Sequence, residues 1–238
     1  MIRLPLLDPD APEKFPDQAL ALAEPNGLLA FGGDLSPTRL LAAYRIGIFP
    51  WFSEGEPILW WSPDPRCVFH TATLRPNRSL RRQLAGKHWQ VTVDHAFEAV
   101  IRGCAAPRDN RSGSWLVPAM IGAYAHLHRL GHAHSVETWD GDRLVGGIYG
   151  VAVGKLFCGE SMFSVESGGS KVALVALGRL LHDEGYPLLD TQVANPHTLG
   201  LGAREIPRAD YLALAGQLAA QSGRIGSWAS LGPKLQQP

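Results

Sequence analysis

The chain has 238 residues, 45% of them hydrophobic and 18% charged, with 22 basic and 22 acidic side chains and no formal net charge. That balance fits a globular protein rather than an apolar-poor, unfolded one, and no run approaches the roughly 18–20 apolar residues of a membrane span. The Pro and Asp residues of Met1–Asp10 interrupt the start too early for a signal peptide, and Cys67, Cys104 and Cys158 stand at wide, unpatterned spacings, which argues for reduced thiols and a cytoplasmic protein.

The charges are unevenly distributed. Residues 1–63 carry eight acids against four bases, whereas no acid occurs from Pro65 to Val93, a stretch that holds Arg66, Arg75, Arg78, Arg81, Arg82 and Lys87. Six uncompensated cations form either a solvated basic face or a seat for polyphosphate.

In chain order, Ser36-Pro37 opens a short helix closed by Gly47. Next comes a tryptophan-rich stretch, Trp51, Trp60 and Trp61, in which Pro50, Pro57, Pro63 and Pro65 argue against helix and central strand alike. A shaped loop is expected there, its rings either filling a small core or offering flat faces to nucleobases. Asn77–Gly86 reads as a helix that gathers Arg78, Arg81 and Arg82 within one turn. Gln90–Val93 reads as a strand, Asp94–Cys104 as a helix capped by Asp94, and Pro118–Leu130 as an amphipathic helix.

The pattern then turns to strands: His134–Trp139, an Asp140-Gly141 hairpin turn, Arg143–Val153 with three glycines, and Leu156–Cys158. A helix over Lys171–Glu184, a buried-type strand Pro187–Asp190 and a last helix near Ala209–Ala220 complete the chain. An antiparallel meander with interspersed helices predicts an α+β protein. Two parts are expected, 1–70 with the tryptophan stretch and 71–238, joined somewhere between about 60 and 95.

Two segments mix polar and apolar groups in the manner of a site. Glu160, at the expected strand end of Leu156-Phe-Cys-Gly-Glu-Ser-Met-Phe-Ser164, is a carboxylate among large apolar side chains. Asp190, Gln192 and Asn195 follow a buried-type strand, and alternation puts 190 and 192 on one face, where the carboxylate can orient the amide; equally, these groups can simply tie down a turn. His126, His128, His132 and His134 lack a metal-site pattern, Cys158 reads as a core thiol, and Gly168-Gly-Ser-Lys171 is a weak phosphate motif.

Several longer segments carry a resemblance: Glu24-Pro-Asn-Gly-Leu-Leu-Ala30, Gly32-Gly-Asp-Leu-Ser36, Gly47-Ile-Phe-Pro-Trp-Phe-Ser53 and Trp60-Trp-Ser-Pro-Asp-Pro-Arg66. They continue with Leu130-Gly-His-Ala-His-Ser-Val-Glu137, Leu144-Val-Gly-Gly-Ile-Tyr-Gly-Val151, the Leu156–Ser164 segment and Asp190-Thr-Gln-Val193. Over roughly residues 20–212 the chain resembles the bacterial leucyl/phenylalanyl-tRNA–protein transferases. It departs from the family's pattern at Ile148, Thr191 and Gly168-Gly169, which concerns pocket shape rather than reaction.

The resemblance implies a small N-terminal α+β domain followed by an N-acetyltransferase-like (GNAT-like) domain of antiparallel or mixed sheet flanked by helices. The implied reaction moves Leu or Phe, with Met as a third candidate, from aminoacyl-tRNA to the α-amine of proteins beginning with Arg or Lys, marking them for degradation. No coenzyme A, other cofactor, metal or membrane is implied, and a monomer is expected. Matched by position, Trp51 and Trp115 stack on the terminal adenosine, with Trp60 and Trp61 supporting Trp51, and Asp190, Gln192 and Asn195 form the catalytic group. Glu160, Ile148, Met162, Phe163 and Leu174 line the aminoacyl pocket, and Arg78, Arg81, Arg82 and Lys87 contact the tRNA backbone. Two rival readings are a coenzyme A-dependent N-acyltransferase with Gly168-Gly169-Ser170 on the pyrophosphate, and a non-catalytic RNA-binding protein.

Overall fold

The computed structural model describes residues 4–106 and 116–235. Two sheets organise it. Strands β1 (Leu6–Leu7), β2 (Leu28–Gly32), β3 (Phe49–Pro50) and β4 (Leu59–Trp61), with helix α1 (Pro37–Arg45) between β2 and β3, form a four-stranded sheet in the order β1-β2-β4-β3. Ser36 caps α1 by accepting from the Arg39 amide, and Pro37 occupies its first turn, where a missing N–H costs nothing.

The tryptophan stretch is therefore not only a loop. β4 lies inside the sheet, antiparallel to both β2 and β3. Pro57 and Pro63 fall just beyond its ends, so the prolines shorten the pairing instead of abolishing it.

The larger sheet begins with β5 (Arg66–His70). Helix α2 (Arg78–Leu84), strand β6 (Gln90–Val93), and helices α3 (Phe97–Ala105) and α4 (Pro118–Arg129) follow. Then come β7 (Ala133–Asp140), β8 (Arg143–Val153), β9 (Leu156–Ser164), α5 (Gly169–Asp183), β10 (Leu188–Asp190), α6 (Pro196–Gly200), β11 (Arg204–Ile206) and α7 (Arg208–Ala219). The seven strands run in the order β11-β5-β10-β9-β8-β7-β6, and only β9 and β10 are parallel to each other. No helix among the described residues is long and apolar enough to cross a membrane.

Strand alternation divides the core. Val68, Tyr149, Leu156 and Cys158 face one cluster with Leu40, Val100 and Trp60, whereas Cys67, Phe69, Ile148 and Phe157 face another with Leu174, Leu177 and Trp228. The first cluster joins the small sheet to the large one.

Asp94 does not cap α3. Ala96 precedes that helix without a side-chain cap, and Asp94 instead takes φ 55°. Its carboxylate accepts from His134 Nδ1 at 2.9 Å and from the amides of Ser135 and Trp228 at 3.0 and 2.7 Å, so it ties β7 to the C-terminal segment.

Candidate active site

The site forms where β9 and β10 part. Their pairing ends at Asp190 opposite Cys158, while β9 continues to Ser164. On its other edge β9 carries a bulge against β8: Tyr149 pairs with Ser161 and Gly150 with Gly159, leaving Glu160 as the extra residue. A bulge re-aims a side chain, and Glu160 thus lies within the strand, not at its end as the sequence suggests.

Beyond Asp190 the chain turns sharply at Gln192, whose φ of 56° makes it one of two non-glycine residues with positive φ among those described. Three contacts hold it there. Its amide donates to Asp190 Oδ1 at 2.9 Å, its carbonyl accepts from the Cys67 amide at 3.0 Å, and its Nε2 donates to Glu160 Oε1 at 3.2 Å. Local strain of this kind persists only where the surroundings over-determine it.

The expected alternation of 190 and 192 fails because the strand stops at 190, so the carboxylate fixes the Gln192 backbone, not its side-chain amide. Asp190 is wholly buried. It receives Arg66 Nε at 2.9 Å, Arg66 Nη2 at 2.7 Å and the Tyr211 hydroxyl at 2.8 Å. Burial alone would lower the Arg66 pKa, but the Asp190 carboxylate overrides it and raises it. Arg66 is therefore a core residue and leaves the basic patch, whereas Lys87 stays exposed and pairs at 2.9 Å with Glu166, which it shares with Arg143. Arg78, Arg81 and Arg82 remain exposed on α2.

Two cavities meet here. One of about 480 Å³ is lined by Ile148, Glu160, Met162, Leu174 and Gln192, together with Ser170 of the weak phosphate motif and with Phe69, Ser161 and His197, which the sequence did not single out. A smaller one of about 210 Å³ is lined by Phe49, Pro50, Trp51 and Val193. Glu160, Thr191, Gln192 and Asn195 line both. Phe163 does not line the larger cavity: one residue on from Met162, it points through the sheet and joins the opposite core.

Burial pushes the Glu160 carboxyl up to about 7, while the hydrogen bond from Tyr124 and the nearby Tyr44 hydroxyl hold it down. Asn195 caps α6, its Oδ1 accepting from the amides of His197 and Thr198 at 3.0 and 2.9 Å. Trp51 is 43% exposed beside the smaller cavity. Trp61 leans on it with ring centroids 5.7 Å apart and donates its indole N–H to the Trp51 carbonyl at 2.6 Å. Trp60 is fully buried and donates to the Gly32 carbonyl at 2.9 Å. Trp115 lies outside the described residues.

Gly169 opens α5, where a Cβ would collide with the Val145 carbonyl. Gly169 thus lets the helix approach β8, which weakens the reading of this segment as a phosphate cradle. Cys158 is buried, and burial pushes its thiol up, away from nucleophilic use. Among the described residues no group of three or more His, Cys, Asp or Glu could hold a metal ion.

Comparison with known proteins bears on this geometry directly. A family model described as leucyl/phenylalanyl-tRNA protein transferase matches residues 68–216, and one for the N-terminal domain of the same proteins matches 33–64. The leucyl/phenylalanyl-tRNA–protein transferase of Xanthomonas axonopodis pv. citri is 58% identical, the match covering 94% of this chain and 90% of that one. Those of Xylella fastidiosa and Shewanella baltica are 53% and 52% identical, with 97% and 87% of this chain and 96% and 87% of theirs covered. The solved L-PGS structure from Bacillus licheniformis has a TM-score of 0.40 at 10% identity over 70% of this chain and 53% of that one, too loose an overlap to carry an argument.

The mixed α/β fold, its twin cavities and these matches define an aminoacyltransferase. More narrowly, the chain belongs to the leucyl/phenylalanyl-tRNA–protein transferase family.

Proposed function

We propose that the protein transfers Leu or Phe from the 3′ end of aminoacyl-tRNA to the α-amine of proteins beginning with Arg or Lys, and that the junction of the two cavities is where the bond forms. The observation that carries this reading is the sharing of Glu160, Thr191, Gln192 and Asn195 by an aminoacyl-sized cavity and a tryptophan-edged one. The terminal adenosine stacks on Trp51 and on Trp115, and the amino-acid side chain enters the larger cavity against Ile148, Met162 and Leu174. A pocket of this apolar kind separates side chains differing by a methylene by only about 1–3 kcal/mol, in keeping with acceptance of both Leu and Phe. Exposed Arg78, Arg81 and Arg82 engage backbone phosphates.

The reaction needs little acid–base assistance. The aminoacyl ester is already activated, and an α-amine with a pKa of about 7.7–8.0 is partly neutral at pH 7. Its nitrogen attacks the ester carbonyl, the carbon–oxygen bond to the ribose breaks, and one amine proton ends on the departing hydroxyl. Holding amine and ester together supplies much of the acceleration. Gln192 contacts the amine, while Asp190, screened from both cavities, acts by holding the Gln192 turn.

The wider reading is a cytoplasmic monomer with an N-terminal part, a GNAT-like second part beginning near β5, and products directed to degradation. The test supplies Leu-, Phe- and Met-charged tRNA with an Arg-initiated peptide and reads the peptide's mass. One added residue from Leu- and Phe-tRNA is expected. No addition would sink the reading, and dependence on acyl-coenzyme A would favour the N-acyltransferase.

A further inference from the structure

Tyr44 on α1 and Tyr124 on α4 are both buried, and their hydroxyl oxygens lie 2.6 Å apart. Tyr124 donates to Glu160 Oε2 at 2.8 Å, and Gln192 Nε2 donates to Glu160 Oε1 at 3.2 Å. A phenol has a single hydrogen to give. Tyr124 directs its hydrogen at Glu160, so the proton between the two phenols comes from Tyr44. The chain of donors therefore runs one way, from Tyr44 through Tyr124 to Glu160, and Gln192 donates to the same carboxylate from the opposite side.

An amide that turns its NH2 toward Glu160 presents its oxygen away from it. Gln192 lines both cavities, and an amine that attacks an ester needs an acceptor for its N–H, not another donor. We propose that Tyr44 and Tyr124 are positioning residues for the transfer: by donating in series to Glu160 they keep it an acceptor, which holds Gln192 with Nε2 on Glu160 and Oε1 toward the incoming amine. The inference rests on the cavity junction being the transfer site.

Such support is needed because burial pushes Glu160 up to about 7. As a neutral acid, Glu160 would carry an O–H able to donate to the Gln192 oxygen and turn the amide over. The charged and titratable groups around it come from six elements. Tyr44 faces it from α1, Tyr124 from α4, Tyr149 from β8 and Cys158 from β9; Asp190 on β10 opposes its ionisation and Arg66 on β5 favours it. Of these, only Tyr124 donates a hydrogen bond to it directly, with Tyr44 behind Tyr124. Tyr44 belongs to the small-sheet part of the chain, so that part completes the site from behind.

Tyr124→Phe and Tyr44→Phe keep the rings and remove the donors. Carboxyl 13C NMR follows Glu160, its signal assigned by loss in Glu160→Gln, and transfer of Leu from charged tRNA to an Arg-initiated peptide gives kcat and KM. Tyr124→Phe is expected to raise the Glu160 midpoint and to lower kcat at pH 7 by roughly 10- to 100-fold, the scale of a misplaced contact. The peptide KM should change little, and kcat should partly recover at pH 9, where the carboxylate is restored. Tyr44→Phe should act in the same direction but less, and it decides the matter alone if Tyr124→Phe does not fold. Midpoints and kcat equal to the active parent's in the folded variants overturn the inference; a parent that transfers nothing overturns the underlying site reading.

Discussion

Arg66 and Asp190 face each other across β5 and β10, joined by hydrogen bonds of 2.9 and 2.7 Å, with both side chains excluded from solvent. The guanidinium also donates to the Gly47 carbonyl at 3.1 Å and lies over the rings of Phe49 and Tyr211, 4.9 and 4.5 Å from their centroids. A single arginine thus links the segment before the tryptophan stretch, two sheet strands, the last helix and the turn that carries Gln192. Planar, bidentate geometry is what an arginine supplies and a lysine does not.

Loss of one partner leaves the other charge buried and unmatched. Asp190→Ala should therefore cost about 3–5 kcal/mol of stability as well as activity. Thermal unfolding checks this, at roughly 2–4 °C per kcal/mol for a chain of this size. An Asp190→Ala variant that melts with the parent yet is inactive would assign Asp190 to the chemistry itself.

Trp51 and Trp60 should fail in opposite ways. Trp51 is 43% exposed, so Trp51→Ala should leave the melting temperature nearly unchanged while raising KM for charged tRNA. The expected rise corresponds to about 1–3 kcal/mol, the worth of one base stacked on an aromatic ring. Trp60 is buried in the joint core, and Trp60→Ala should lose about 3–5 kcal/mol of stability. Steady-state kinetics beside melting curves separate the two.

Glu160 sets a pH dependence of stability. Its folded-state pKa, about 7, lies above the ordinary 4.5, so the folded chain holds its proton more tightly than the unfolded one. The contribution is present below about 4.5, falls as pH rises toward 7 and is gone above it. Glu160→Gln removes the buried charge and should melt higher than the parent at pH 8, with the gap shrinking toward pH 5, while transfer activity falls. A constant gap across that range would contradict the assignment.

Selectivity between Leu and Phe should respond to one face of the β8–β9 pair and not to the other. Ile148→Ala and Met162→Ala enlarge the cavity that they line and should shift the ratio of kcat/KM for the two charged tRNAs. Phe163→Leu alters the opposite core and should cost stability with the ratio unchanged. Competition between Leu- and Phe-tRNA reads this directly.

On α2, Arg78→Gln, Arg81→Gln and Arg82→Gln together should weaken tRNA binding evenly across tRNA sequences and flatten its salt dependence. Lys87→Gln should do less, since its charge is already matched by Glu166. Binding isotherms at several salt concentrations test the order.

The sequence by itself determined the family and most of the elements. Caps, turn glycines and apolar periods are local signals, and they located α1, α2, α4, β8 and α5 to within a residue or two. Glu160, Gln192 and Asn195 were legible because polar groups in apolar surroundings stand out along a chain. Tertiary structure alone decided what each group does. Arg66 read as one cation among six until Asp190, 124 residues away, was found beside it. Tyr124 read as no more than part of an amphipathic helix until its hydroxyl met Glu160. Phe163 read as a pocket residue until the side of the sheet was known. Local propensity depends on a few neighbouring residues, whereas charge pairing, hydrogen-bond direction and the face of a bulged strand depend on partners that only folding brings within about 3 Å.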